Sequence, residues 1–156
     1  MTTQSLTVRA YEPSDAARVR QIDERALRAS PLRDPEDAPA VCNPNSRYLE
    51  ASGTFLVGLV GGEIVAVGGY RPVDAATVSL ERLRVDPARQ RSGYGTRLLY
   101  ELEADARDDG FERALLNTDV RLQAARQLYR RRGYEPIGRE SDLETGIELV
   151  TFCKEL

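Results

Sequence analysis

The stretch that most constrains this chain is residues 83–99, where a strand runs through a glycine loop into a helix. Leu83 and Val85 alternate with charged residues at strand period, Pro87 stops the run, and beyond Gly95 the apolar Leu98, Leu99, Leu102 and Ala106 recur at helical spacing. Such a turn delivers a helix N-terminus, whose first backbone amides lack intrahelical acceptors and carry the positive end of the dipole. That terminus suits an anion such as a pyrophosphate, and Gly93 and Gly95 leave room for a ligand to reach the amides. The same glycines equally suit a tight turn that needs positive φ or close packing. A Walker loop is excluded because no Gly-Lys-Ser/Thr closes the run. The dinucleotide fingerprint is excluded because Leu98 stands where its third glycine belongs.

Composition narrows the chemistry. The 156 residues suit a single domain, 1–156, with one compact core. No apolar run approaches the ~18 residues of a membrane span, and residues 1–7 are polar with no apolar segment after them. The expected location is therefore the cytoplasm, with no membrane partner. A net charge of -3 argues against a general affinity for nucleic acid. The chain has no histidine and only Cys42 and Cys153, which excludes a disulfide framework, the usual zinc sites and histidine-based nucleophile triads. No metal is expected, and any chemistry falls to carboxylates, tyrosine, hydroxyls or main-chain groups. Lys154 is the only lysine, the other basic residues all being arginine.

Taken in order, residues 6–9 read as a first strand. Pro13, Ser14 and Asp15 suit the opening turn of a helix that gathers Val19, Ile22 and Ala26 on one face, with arginines and acids opposite. Residues 29–47 hold four prolines with Asp34, Glu36 and Asp37 and read as a long loop, either a substrate wall or a solvated connection. Residues 54–60 and 63–70, joined by Gly61 and Gly62, read as a β-hairpin. In the next run, 77–85, strict alternation puts Thr77, Ser79, Glu81, Leu83 and Val85 on one face. The helix after the glycine loop closes near Asp109, where Gly110 and Phe111 suit a glycine C-cap. A strand at 114–118, a helix at 124–132 ended by Gly133, and strands at 134–137 and 147–154 complete the order. A meander followed by β-α-β implies an α+β fold, with a mixed sheet and helices on its faces.

Two motifs then carry a resemblance. Gln90-x-x-Gly93-x-Gly95, at the end of a Leu-Arg-Val-Asp-Pro strand, resembles the Q/R-x-x-G-x-G/A cofactor motif of the GNAT superfamily of acyl-CoA N-acyltransferases. Residues 124–134, with Ala124, Leu128, Tyr129, Gly133 and Tyr134, resemble the A-x-x-L-Y-x-x-x-G-F/Y segment that follows it in that family. The likeness is close over residues 54–138 and looser over the first strand and helix.

The resemblance implies a mixed, mostly antiparallel sheet whose central parallel strands splay apart to admit acetyl-CoA. It implies that the amides of Arg91, Ser92, Gly93, Gly95 and Thr96 hold the pyrophosphate, with Gln90 at the motif's first position. Leu83 and Val85 would pair with the pantetheine arm, and the Leu83 amide would face the thioester carbonyl. The reaction implied is direct attack of a primary amine on the thioester, with a preorganised donor to the oxyanion worth ~3–4 kcal/mol. Tyr129 would be the general acid for the leaving thiolate or a cofactor contact, and otherwise a core aromatic. Glu81 is the candidate base, or else a solvated glutamate paired with an arginine. The chain departs from many members at Ser79, where they carry glutamate, and at Leu122, where they carry asparagine. The expected function is an N-acetyltransferase acting on an amine of a small molecule or peptide. Its rival is a non-catalytic acyl-CoA-binding sensor or partner subunit. Residues 147–156, apolar on both faces, suit either a homodimer contact or an inner strand.

Overall fold

The computed structural model of the chain describes residues 5–29, 48–49, 52–141 and 146–156, apart from the side chain of residue 27. The loop expected beyond residue 29, with Asp34, Glu36 and Asp37, lies outside the described residues, as does Cys42. The strands are β1 (Thr7–Ala10), β2 (Thr54–Val60), β3 (Glu63–Pro72), β4 (Thr77–Val85), β5 (Arg113–Asp119), β6 (Glu135–Ser141) and β7 (Glu148–Glu155). The helices are α1 (Ala16–Ala29), α2 (Tyr94–Asp108) and α3 (Gln123–Arg131). The strands form one seven-stranded sheet in the order β1-β2-β3-β4-β5-β7-β6. Among the described strands only the β4–β5 pair is parallel. This is the expected α+β arrangement in the expected order.

Local chemistry explains the elements. Before α1 a turn of 3-10 helix at Pro13–Asp15 is closed by a reciprocal cap between Glu12 and Asp15, and Arg9 clamps the Asp15 carboxylate at 2.8 Å. Gly61 and Gly62 turn the β2–β3 hairpin at φ 59 and 82, the positive values that a type I′ turn demands of both central residues. α2 ends at Gly110, φ 91, with the Phe111 amide reaching back to the Ala106 carbonyl at 3.0 Å.

The core lies on both faces of the sheet. On one, Val19 and Ile22 of α1 pack with Val57, Ile64, Val67, Phe55 and Tyr48. On the other, Leu98, Leu99, Leu102 and Ala106 of α2, none more than 1% exposed, pack on Val65, Ala66, Val78 and Leu116. Burying each leucine contributes about 1.5–3 kcal/mol, so this face fixes α2 and with it the loop that leads into it. α3 sits more shallowly: none of its residues is fully buried, and Tyr129 is its contact with Tyr134 and Phe152. The C-terminal run, β7, is an inner strand paired with β5 on one side and β6 on the other, so neither of its edges is free to pair with a second copy. No helix among the described residues is long and apolar enough to cross a membrane.

Candidate active site

The site begins where the sheet fails to close. β4 and β5 pair only at Thr77–Arg113, Val78–Ala114 and Ser79–Leu115, although β4 continues to Val85 and β5 to Asp119. Past those three pairs the facing edges diverge and leave a cavity of about 260 Å³. Its walls are Ser79 to Arg84 of β4, Leu99 and Leu102 of α2, Leu116 and Asn117 of β5, and Tyr129 of α3. Backbone groups along a parted ladder need partners, and an extended ligand with amides of its own can supply them.

β4 also breaks its own alternation. The β3–β4 register passes from Gly69–Glu81 to Val67–Arg84, so that two β4 residues, Arg82 and Leu83, stand against Gly68 alone. Arg82 adopts φ 59, the left-handed conformation of a bulged residue. The strict alternation expected across residues 77–85 is therefore corrected. The bulge separates Glu81 from Leu83: Glu81 meets Tyr48 and Arg71, whereas Leu83 and Val85 turn toward α2. Gly68 makes this possible, since a Cβ there would lie 3.1 Å from both Leu83 Cδ1 and Leu102 Cδ1.

Beyond β4 the chain is pinned before it turns. The Asp86 amide donates to the Val65 carbonyl at 2.8 Å, and its buried carboxylate accepts from the Ala88 amide, Arg18 and Arg25 at 3.0, 2.8 and 3.0 Å. Burial disfavours that charge, but the amide and the two guanidinium groups outweigh it and hold the carboxyl below the usual carboxylate range. Gln90, Arg91, Ser92 and Gly93 are exposed, with Arg91 at φ 66 and Gly93 at φ 78. Gly93 is the N-cap of α2 and has no side chain to occupy the helix's first amides. Space is open around Gly93, so its requirement is conformational. Gly95 is a packing glycine, because a Cβ there would lie 3.2 Å from Val85 Cγ2.

The cavity collects three of the expected residues, Glu81, Leu83 and Tyr129. Val85, Gln90, Arg91, Ser92, Gly93, Gly95 and Thr96 do not line it; they follow along β4 and the exposed turn into α2. Tyr129 is half-buried, with its ring 6.1 Å from Tyr134 and 6.0 Å from Phe152. Among the described residues its hydroxyl makes no hydrogen bond. Burial raises the phenol pKa and the charge of Arg84 pulls it down by less, so the hydroxyl is a proton donor at neutral pH. Glu81 accepts from Arg71 Nε at 2.9 Å and from the hydroxyls of Tyr48 and Ser79 at 3.3 and 3.4 Å.

Sequence reasoning missed the other polar groups here. Asp23 of α1, expected among solvated charges, is 8% exposed and binds both Arg82, at 3.0 Å, and Arg84, at 3.3 Å. Its signal was its place directly after Ile22, at the margin of the apolar stripe. Asn117 accepts the Thr151 hydroxyl at 2.7 Å and lines the cavity from β5, which nothing in the sequence set apart.

Comparison with known proteins agrees with this geometry. The sequence model described as the Acetyltransferase (GNAT) family matches residues 17–134. A mouse protein named "Probable N-acetyltransferase family 8 member 5" is 32% identical over 110 residues, which cover 67% of this chain and 48% of that one. The chain thus spans about half the length of that curated relative. Among solved structures, a GNAT family acetyltransferase from Staphylococcus aureus Mu50 superposes with a TM-score of 0.79 at 18% identity, over 97% of this chain and 99% of the other. A GNAT family acetyltransferase from Elizabethkingia anophelis, solved with acetyl-CoA bound, gives a TM-score of 0.70 at 17% identity, over 97% and 98%.

Proposed function

The chain belongs to the GNAT acetyltransferase family, and from that premise we propose that it moves an acetyl group from acetyl-CoA to a primary amine of a small molecule or peptide. The observation that carries this reading is the cavity between β4 and β5, open along two unpaired strand edges and walled by Glu81, Leu83 and Tyr129. An extended pantetheine arm fits such a gap as an added strand, with Leu83 and Val85 as its backbone partners. The amides of Arg91, Ser92, Gly93, Gly95 and Thr96 lie beyond, at the N-terminus of α2, where the helix dipole favours a pyrophosphate. Gln90 flanks that turn.

In the chemical step the amine lone pair attacks the thioester carbonyl, and the Leu83 amide, at the bulge, donates to the oxygen that becomes negative. Collapse of the tetrahedral species expels the CoA thiolate, and the Tyr129 hydroxyl supplies its proton. Glu81 takes the proton lost by the amine, directly or through water. A positioned acid of this kind contributes typically about 10²–10⁴-fold.

The test is calorimetric titration with acetyl-CoA and CoA of the parent and of Ser92→Glu, followed by a thiol-release screen of amines. Ser92→Glu puts a carboxylate at the phosphate turn without the positive-φ strain that Gly93→Glu would add. Micromolar binding lost in the variant, with turnover of an amine by the parent, is the expected result. Binding with no turnover of any amine would favour a sensor, and no binding would sink the reading.

A further inference from the structure

Among the described residues, the polar wall of the cavity carries one more cation than it has carboxylates to match. Glu81 is matched by Arg71 at 2.9 Å, and Asn117 is engaged by Thr151. Arg82 and Arg84, both lining the cavity, share the single carboxylate of Asp23. Two guanidinium groups on one carboxylate leave a formal surplus of one positive charge. The surplus is accessible at Arg84, whose side chain is 33% exposed and whose contact with Asp23 uses Nε at 3.3 Å. Among the described residues the two terminal nitrogens of Arg84 make no hydrogen bond, which leaves an end-on pair of donors of the spacing that a carboxylate accepts. A bare alkylammonium entering this cavity meets repulsion from that charge, whereas an amine carrying its own anion is attracted to it.

We infer that the acceptor is an amine bearing a carboxylate, and that Arg84 binds that carboxylate. This deepens the acetyl-transfer reading and rests on it. Arg84 follows the bulge and sits on the same edge of the parted ladder as Leu83, so it holds the acceptor's acid beside the proposed thioester position. Arg82, with its side chain 20% exposed, supports Asp23 from the other side.

The experiment compares matched acceptors by thiol release with acetyl-CoA: α- and ω-amino acids, their primary amides, and the corresponding aminophosphonates. Calorimetry with acetyl-CoA on the same protein judges the transfer reading separately, and calorimetry with the amino acids alone judges carboxylate binding without any turnover. The expected result is at least a tenfold higher kcat/KM for the acid than for its amide. Arg84→Gln should bring that ratio near one through KM, Arg84→Lys should retain part of it, and acetyl-CoA affinity should stay within twofold in both. Equal use of acid and amide by the parent, or a preference for the amide, overturns the inference with no variant needed. So does an Arg84→Gln protein that loses acid and amide turnover by the same factor, or a parent that shows neither turnover nor heat with any amino acid. A preference for the phosphonate reassigns the anion and also overturns it.

Discussion

Tyr129→Phe removes one hydroxyl and leaves the ring. The packing of that ring on Tyr134 and Phe152, at 6.1 and 6.0 Å, is kept, and among the described residues the hydroxyl has no partner to orphan. Stability should therefore change by no more than about 0.5 kcal/mol, the range for a substitution that breaks no buried contact. If the hydroxyl protonates the leaving thiolate, kcat should fall by about 10²–10⁴, equivalent to about 2.7–5.5 kcal/mol of transition-state stabilisation. Thiol release at saturating acetyl-CoA gives kcat, a thermal melt checks the fold, and calorimetry checks cofactor affinity. Burial holds the phenol pKa above its ordinary value of about 10, so the parent should lose no rate to tyrosine ionisation below about pH 10. A variant whose kcat stays within threefold of the parent, or whose loss is matched by a lost melt, would refute the assignment and leave Tyr129 as a packing residue.

The remaining predictions concern what holds the site in place. Lys154→Met should destabilise by about 3–5 kcal/mol in urea unfolding, because Nζ sits 3.0 Å from the carboxylate of Glu103, itself 2% exposed; an unchanged midpoint would contradict the pairing. Gly69→Ala should cost about 1–3 kcal/mol, since the added Cβ would lie 2.6 Å from Phe55 Cδ2 and 2.8 Å from the Thr54 carbonyl oxygen. Asp15, lowered chiefly by the Arg9 hydrogen bond, and Asp86, lowered against its burial by Ala88, Arg18 and Arg25, both have folded pKa values below their unfolded ones. Their stabilisation is complete above about pH 4 and is lost as the pH falls through the folded values. Asp86→Asn should therefore flatten the acid limb of stability against pH, and identical slopes for parent and variant would rule this out.

The parts legible in the sequence are those that local chemistry decides. Gly61-Gly62 specifies a two-residue turn whatever surrounds it, and Leu98, Leu99, Leu102 and Ala106 specify one buried helix face, so the hairpin, α2 and the turn between β4 and α2 fall where they were expected. Burial of a charge depends instead on what arrives from elsewhere in the chain. Asp23 reads as one acid among many on an amphipathic helix until Arg82 and Arg84 approach it from β4, 59 and 61 positions away.

The bulge lies between these cases. Period-two alternation over nine residues of β4 has no term for an extra residue, so it placed Glu81 and Leu83 on one face. Yet the neighbouring strand held the cue: Gly68 and Gly69 stand side by side in the middle of β3, where a run of β-formers has no reason to give up side chains. Each is there for a contact. Gly68 admits Leu83 and Leu102, and Gly69 admits Phe55. A glycine pair inside a strand predicts a bulge or a close approach next door. Applied to β3 first, that rule turns the side chains of Glu81 and Leu83 to opposite faces of β4, with Glu81 on the side of Arg71 and the proposed oxyanion donor, the Leu83 amide, at the bulge itself. Under the proposed reaction, an amine that meets Glu81 from the α1 side would then reach a thioester held against the Leu83 amide in the opening between β4 and β5.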